Sequence, residues 1–226
     1  MKSANLKHNN RNAGFTLVEL LIAMTISGVA LTAIYTSYLT QQKTYVAQTE
    51  VTAMQQNIRA GMYHLERELR MAGFDPHNTT KAGFLIASND EIKLTADLNE
   101  DGKMISGTED PNEQVYYVIN DGYLRREPWN GGRQPLAKDI EILNLVYLDE
   151  DNEVLNPNLG DVSNLELEKI RSVQITMVAR TEKPDPEYLN TNAYRNQQDE
   201  VILPAQNDHY RRRTLTTTIR CRNMGL

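Results

Sequence analysis

The strongest constraint on this 226-residue chain is an apolar run near its start. From Phe15 to Leu39 the only formal charge is Glu19, and the next charged residue is Lys43. No proline interrupts the run, and a bilayer is crossed by roughly 20 consecutive apolar residues. A carboxylate placed so early in such a run costs about 2.5–3.5 kcal/mol in hydrocarbon, so Glu19 requires a partner. Upstream, Met1 to Gly14 carries Lys2, Lys7 and Arg11 and no acid. In a secretory signal the small-residue cleavage site follows the apolar stretch. Here the small residue, Gly14, precedes it, so cleavage after Gly14 would remove the basic leader and keep the hydrophobic helix.

The sequence Gly14-Phe15-Thr16-Leu17-Val18-Glu19 closely resembles the processing motif of type IV prepilins and type II secretion pseudopilins. The resemblance implies cleavage between Gly14 and Phe15 by prepilin peptidase, N-methylation of Phe15 and an assembly role for Glu19. Similarity extends to Met71-Ala72-Gly73-Phe74-Asp75-Pro76, to Val173–Arg180 and to Thr217–Asn223, which look like PilW-type minor pilins. The J-type minor pseudopilins of type II secretion share the helix-end pattern and form the rival reading. A third reading is a pilus-delivered adhesin using Trp129 and the asparagine-rich segment. The implied partners are prepilin peptidase, other major and minor pilins, and the inner-membrane assembly machinery. The implied protein is a structural subunit and not an enzyme.

Four segments follow: a cleaved leader over 1–14, a transmembrane or filament-core helix over 15–42, the amphipathic half of that helix over 43–73, and a β-rich body over 74–226. The leader's cations place the N-terminus in the cytoplasm by the positive-inside rule, with the body outside the inner membrane. Ser27, Thr32, Thr36 and Ser37 suit helix–helix contact rather than full lipid exposure. Beyond Lys43, Val51, Met54, Ile58, Met62, Leu65, Leu69 and Ala72 recur on one helical face. At about 1.5 Å per residue the whole helix would reach on the order of 85 Å. Gly73, with Pro76 shortly after, is a natural C-cap.

Past Pro76 the chain breaks into β-rich runs at Gly83–Ala87, Glu91–Ala96, Gln114–Asn120, Tyr123–Glu127, Ile140–Leu148, Ser172–Arg180 and Thr214–Cys221. Asn120-Asp121-Gly122 is a hairpin turn. Val173, Ile175 and Met177 alternate with Gln174, Thr176 and Val178, as in a half-buried strand. Between Glu182 and Arg213 the polar composition predicts an exposed loop. The fold class is therefore α+β, a pilin-like long N-terminal helix packed on an antiparallel sheet.

Removing the leader leaves 21 cations against 30 acids, a net charge of -9 compared with -6 for the full chain. An acidic body offers no nucleic-acid groove. The single cysteine, Cys221, rules out an intrachain disulfide, and the expectation is a small residue packed in a strand. Asp97-Leu98-Asn99-Glu100-Asp101-Gly102 matches the first half of an EF-hand-like loop, with oxygen ligands at positions 1, 3 and 5 and glycine at 6. Candidate Ca²⁺ ligands are Asp97, Asn99, Asp101, the carbonyl of Lys103 and Glu109, with Asp110 as a substitute for the last. Position 12 is Thr108, so the closing ligand departs from the pattern, and a plain Asp-Gly turn is the alternative. Asp149-Glu150-Asp151-Asn152-Glu153 reads as a solvated hairpin turn. His64, His77 and His209 lack zinc spacing, and no Gly-x-Ser-x-Gly nucleophile occurs. Arg211-Arg212-Arg213 is expected to flank a strand as exposed charge. Trp129 is expected to cover the core from a turn.

Overall fold

A computed structural model of the protein describes residues 14–103, 111–156, 160–164 and 166–225. The basic leader before Gly14 lies outside the described residues, as do Thr108, Glu109 and Asp110. The chain divides into two compact units, Met1–Ala47 and Gln48–Leu226. A single helix, α1 (Leu17–Met71, 55 residues), supplies the described secondary structure of the first unit and the first element of the second.

Within the first unit the helix is long and apolar enough to cross a membrane. Its threonines do not leave polar groups unsatisfied. Thr25, Thr32, Thr40 and Thr44 donate to the carbonyls of Leu21, Gly28, Thr36 and Thr40 at 2.8–3.0 Å, each one turn back. Thr36 donates to Ala33. Hydroxyls spent this way add little to the cost of an apolar environment.

Within the second unit, Met54, Ile58, Gly61, Met62, Leu65 and Leu69 form the buried stripe of α1. The stripe packs on antiparallel strands of two sheets. The first has the order β1 (Phe84–Ala87), β2 (Glu91–Thr95), β3 (Gln114–Asn120), β4 (Tyr123–Pro128), β5 (Gln134–Lys138). The second has the order β10 (Arg212–Arg220), β7 (Ser172–Arg180), β6 (Ile140–Leu148). Asp139 alone joins β5 to β6, and it does so with φ 61°, a left-handed conformation that turns the chain from one sheet into the other. Gly61 sits where the helix passes close to both: a Cβ there would stand 3.0 Å from Leu124 of β4, 3.3 Å from Ala137 of β5 and 3.8 Å from Met177 of β7. The hairpin at Asp121-Gly122 has both residues at positive φ, 54° and 74°, as a type I′ turn requires.

Gly73 ends the helix with φ 79°. Its amide donates to the Thr95 carbonyl at 3.1 Å. The side-chain amide of Asn223 reaches the carbonyls of Arg70 and Met71 at 3.3 and 3.4 Å, so the distant C-terminal segment finishes the cap.

Three sequence expectations need correction. The seven β-rich runs include none over 134–138, yet β5 forms there; it lies at a sheet edge, where the N–H missing at Pro135 is tolerated. The stretch between Glu182 and Arg213 is not a simple exposed loop. It carries a short hairpin, β8 (Tyr194–Arg195) with β9 (Val201–Leu203), and buries Asn190, Asn196 and Leu203. Gln198 bonds Gln174 of β7, and Gln197 bonds the Thr217 carbonyl and the Thr218 hydroxyl of β10. This cover explains why β7 is not half-buried: Thr176 and Val178, on the face opposite Ile175 and Met177, are equally enclosed.

Candidate functional site

The processing candidates stand at the head of α1. Gly14 and Phe15 lie in non-helical chain ahead of the first turn, and Phe15 is 93% exposed. Thr16 and Glu19 bond reciprocally. The Thr16 amide and hydroxyl donate to one Glu19 carboxylate oxygen at 2.8 and 2.9 Å, and the Glu19 amide donates to the Thr16 hydroxyl at 3.2 Å. This is a capping box, Thr at N-cap and Glu at N3, which satisfies two of the orphan donors of the helix start. Thr16 was missed as a functional residue, although the Thr-x-x-Glu spacing signals it. Glu19 also lies in the first turn, where a carboxylate complements the helix dipole. The partner that a carboxylate in an apolar run demands is thus supplied first by its own chain. The bond assigned to cleavage stays outside that hydrogen-bonded frame.

The Asp97–Lys103 loop brings four of the candidate metal ligands into one turn between β2 and β3. Asp97 Oδ2 accepts from the Gly102 amide at 3.1 Å, Asn99 Oδ1 from Asp101 at 3.0 Å, and Asp101 Oδ1 from Lys103 at 2.8 Å. Gly102 takes φ 70°. Glu109, the fifth candidate, lies outside the described residues. Among the described residues no cluster of three or more His, Cys, Asp or Glu stands in metal-holding geometry.

The remaining candidates resolve into structural roles. Asp149 Oδ1 accepts from the amides of Asp151 and Glu153 at 3.0 and 2.9 Å, the hairpin turn expected there. Trp129 is half-buried, with the Lys93 ammonium 5.9 Å from its ring centroid. Of the arginine cluster, Arg213 is exposed on the edge strand as expected, but Arg212 is not. Arg211 pairs with Asp185 at 2.8 Å, and the Arg212 side chain is 1% exposed between Glu141 and Asp208. A second polar knot lies under α1: Glu68 accepts from Arg126 at 2.9 Å and from the buried hydroxyl of Tyr117. Burial, with Glu68 alongside, pushes that hydroxyl well above its ordinary pKa.

Cys221 is free and follows β10 rather than lying within it; its side chain is buried and burial pushes the thiol up to about 12. Only the thiolate is nucleophilic. At about pH 8 the folded chain should therefore react with iodoacetamide at least ~1000-fold more slowly than the urea-unfolded chain. Mass-spectrometric alkylation rates measure this, and equal rates would show the thiol to be accessible.

The chain is similar to known proteins over both ends. Residues 9–35 match the model of the prokaryotic N-terminal methylation motif, and residues 115–223 match that of the type IV pilus-assembly protein W, PilW. Among solved structures, a type IV-like pilin from Thermus thermophilus aligns with a TM-score of 0.48 at 15% identity, over 75% of this chain and 97% of that one. No curated protein sequence matches the chain.

Proposed function

We propose, for a chain that is a minor type IV pilin of the PilW type, a structural role with no catalysis of its own. The methylation motif implies processing by prepilin peptidase and assembly with other pilins. The finer steps are as follows. The leader, residues 1–14, holds the N-terminus in the cytoplasm, while the acidic body folds outside the inner membrane. The peptidase cuts between Gly14 and Phe15 and methylates Phe15. The inner-membrane assembly machinery then moves the apolar helix from the bilayer into a filament with other major and minor pilins.

The observation that carries this reading is the head of α1, where an exposed Gly14–Phe15 peptide precedes a helix start closed by Thr16 and Glu19. An enzyme working at the membrane surface meets a non-helical, exposed peptide there, and the helix keeps its cap after the cut. In the filament, Glu19 exchanges one partner for another: its carboxylate pairs with the cationic N-terminus of a neighbouring Phe15, offsetting the burial of both charges.

The test separates charge from cap. Glutamine at N3 still completes a capping box, so Glu19→Gln keeps the helix start and loses only the charge. Both Glu19→Gln and Glu19→Ala should be cleaved, with N-methylated Phe15 found by mass spectrometry, and both should be depleted from sheared pili at least about tenfold, the factor that ~1.4 kcal/mol of lost pairing gives. Normal incorporation of Glu19→Gln would reduce Glu19 to a capping residue.

A further inference from the structure

Strand β10 forms one edge of the second sheet and pairs with β7 in an unbroken register from Arg212↔Arg180 to Arg220↔Ser172. Just past the ends of that ladder, the Cys221 amide donates to the Arg171 carbonyl and the Thr181 amide to the Arg211 carbonyl, both at 2.9 Å. Backbone direction alternates along a strand, so the odd-numbered residues of β10 turn their amides and carbonyls to β7. Those of Thr214, Thr216 and Thr218 turn outward, where they have no partner among the described residues. Gln197 reaches the Thr217 carbonyl and the Thr218 hydroxyl, neither of which belongs to that row. An unpaired row of this kind is a template for another strand, and folded proteins usually blunt it. The other edges of the two large sheets are blunted. Pro135 interrupts β5, and β1 is only four residues long, with the Val162 amide on its Ala87 carbonyl. Along β6, Asn89, Leu155 and Asn156 take the outward groups of Leu145 and Tyr147. At nine residues, β10 has neither proline nor bulge.

We infer that β10 is a docking edge for an extended acidic segment of another protein, which joins the second sheet as an added strand. In such pairing the main-chain hydrogen bonds supply affinity and the side chains supply selection. Here the selection is for negative charge. Arg213 and Arg220 stand exposed toward the two ends of β10, about 23 Å apart along an extended chain. Neither pairs with an acid among the described residues, whereas Arg211 and Arg212 are spent on Asp185, Glu141 and Asp208. Between the two free cations, Thr214 to Ile219 carries no charge. In a chain of net charge -6 this open edge is a place that receives acid rather than repelling it. A second copy of the chain fits poorly. Antiparallel pairing of β10 with itself brings Arg220 of one copy toward Arg212 or Arg213 of the other, and like charges facing across strands are destabilising. The segment that fits is β-branched in its middle and acidic at both ends.

Such docking needs neither cleavage nor a filament, so the full, unprocessed chain in detergent micelles tests it. The probe is a capped fluorescent peptide of alternating threonine and valine, as long as β10 and with glutamates at both ends. By anisotropy at low salt we expect saturable binding below about 1 mM. Lysines in place of the glutamates, or Arg213→Glu combined with Arg220→Glu, should weaken it at least about tenfold. Thr216→Pro removes an outward donor and spares the bonds to β7, as an edge strand tolerates, and should also weaken binding at least about tenfold. No binding to the parent, equal binding of the lysine-flanked peptide, or binding unchanged by Thr216→Pro overturns the docking edge. Should Thr216→Pro fail to fold, the parent with a peptide N-methylated along its middle decides, loss of binding upholding the added strand and retention overturning it. Self-association of the chain that Thr216→Pro abolishes would give the edge to a second copy and overturn the inference.

Discussion

Arg212→Met should cost about 3 kcal/mol, near the lower end of what breaking a buried ion pair costs. The guanidinium is bidentate on both neighbours. Nε and Nη2 donate to Glu141 at 2.6 and 3.1 Å, and Nη1 and Nη2 donate to Asp208 at 2.7 Å each. Methionine matches the length of the stem but leaves two carboxylates facing each other. Because these are 20% and 30% exposed, water recovers part of the loss, which holds the figure below the maximum. In a body of this size the melting temperature should fall by roughly 6–12 °C. Adding Glu141→Gln and Asp208→Asn should restore part of the drop, since the penalty is mostly the stranded charge. No such recovery would locate the loss in packing instead. The acid limb should change as well. Hydrogen bonds from Arg212 hold the Asp208 carboxyl below the usual range. That stability is in place above the unfolded carboxylate pKa and is lost as pH falls through the lowered folded value. Stability of Arg212→Met should therefore depend less on pH in the acid range than that of the parent.

Leu65→Ala should cost about 3–5 kcal/mol, a melting-temperature fall of roughly 6–20 °C. Leu65 is wholly enclosed, as is Leu69 one turn on, and both belong to the stripe that packs on the sheets. Gly61 one turn earlier already brings the helix backbone close to Leu124 and Ala137, so the helix cannot settle further to fill the space. A cavity that cannot collapse carries the full penalty. Leu65→Met conserves volume and should cost less than about 1.5 kcal/mol. Equal losses in the two variants would mean that the position is already loosely packed. The same pair, assayed in sheared pili, asks whether body stability governs incorporation independently of Glu19.

Much of this architecture is written locally. The long helix follows from an apolar run passing into a three-four repeat, and Met54 to Ala72 are the residues that the repeat names. Seven strands follow from β-branched runs between turn residues. The Asp97 turn is visible as an Asp-Gly spacing between two β-rich runs. What stayed hidden depends on residues far apart in the chain. Arg212 reads as one of three like charges; its burial depends on Glu141, 71 residues earlier. The hairpin at Tyr194–Leu203 is too short and polar to signal itself, and its value lies in covering a sheet face whose sequence gives no sign of being covered. Pro135 speaks against a strand unless the sheet edge is known. Thr16 is different: its spacing to Glu19 is a local signal, masked by the stronger signal of the apolar run.

The closing of α1 by Asn223 sets an order in time. The helix is made early, since it begins at Leu17. Yet the carbonyls of Arg70 and Met71 wait for an amide that lies more than 150 residues later. Until the ribosome has delivered that segment, the Met71 carbonyl has only the Phe74 amide, the Arg70 carbonyl is answered by water, and the turn at Gly73 lacks its neighbour Met224, whose sulfur lies 2.7 Å from where a Cβ on Gly73 would stand. The first element synthesised is thus among the last to be completed, and a truncated translation product would carry an intact anchor with an unfinished joint.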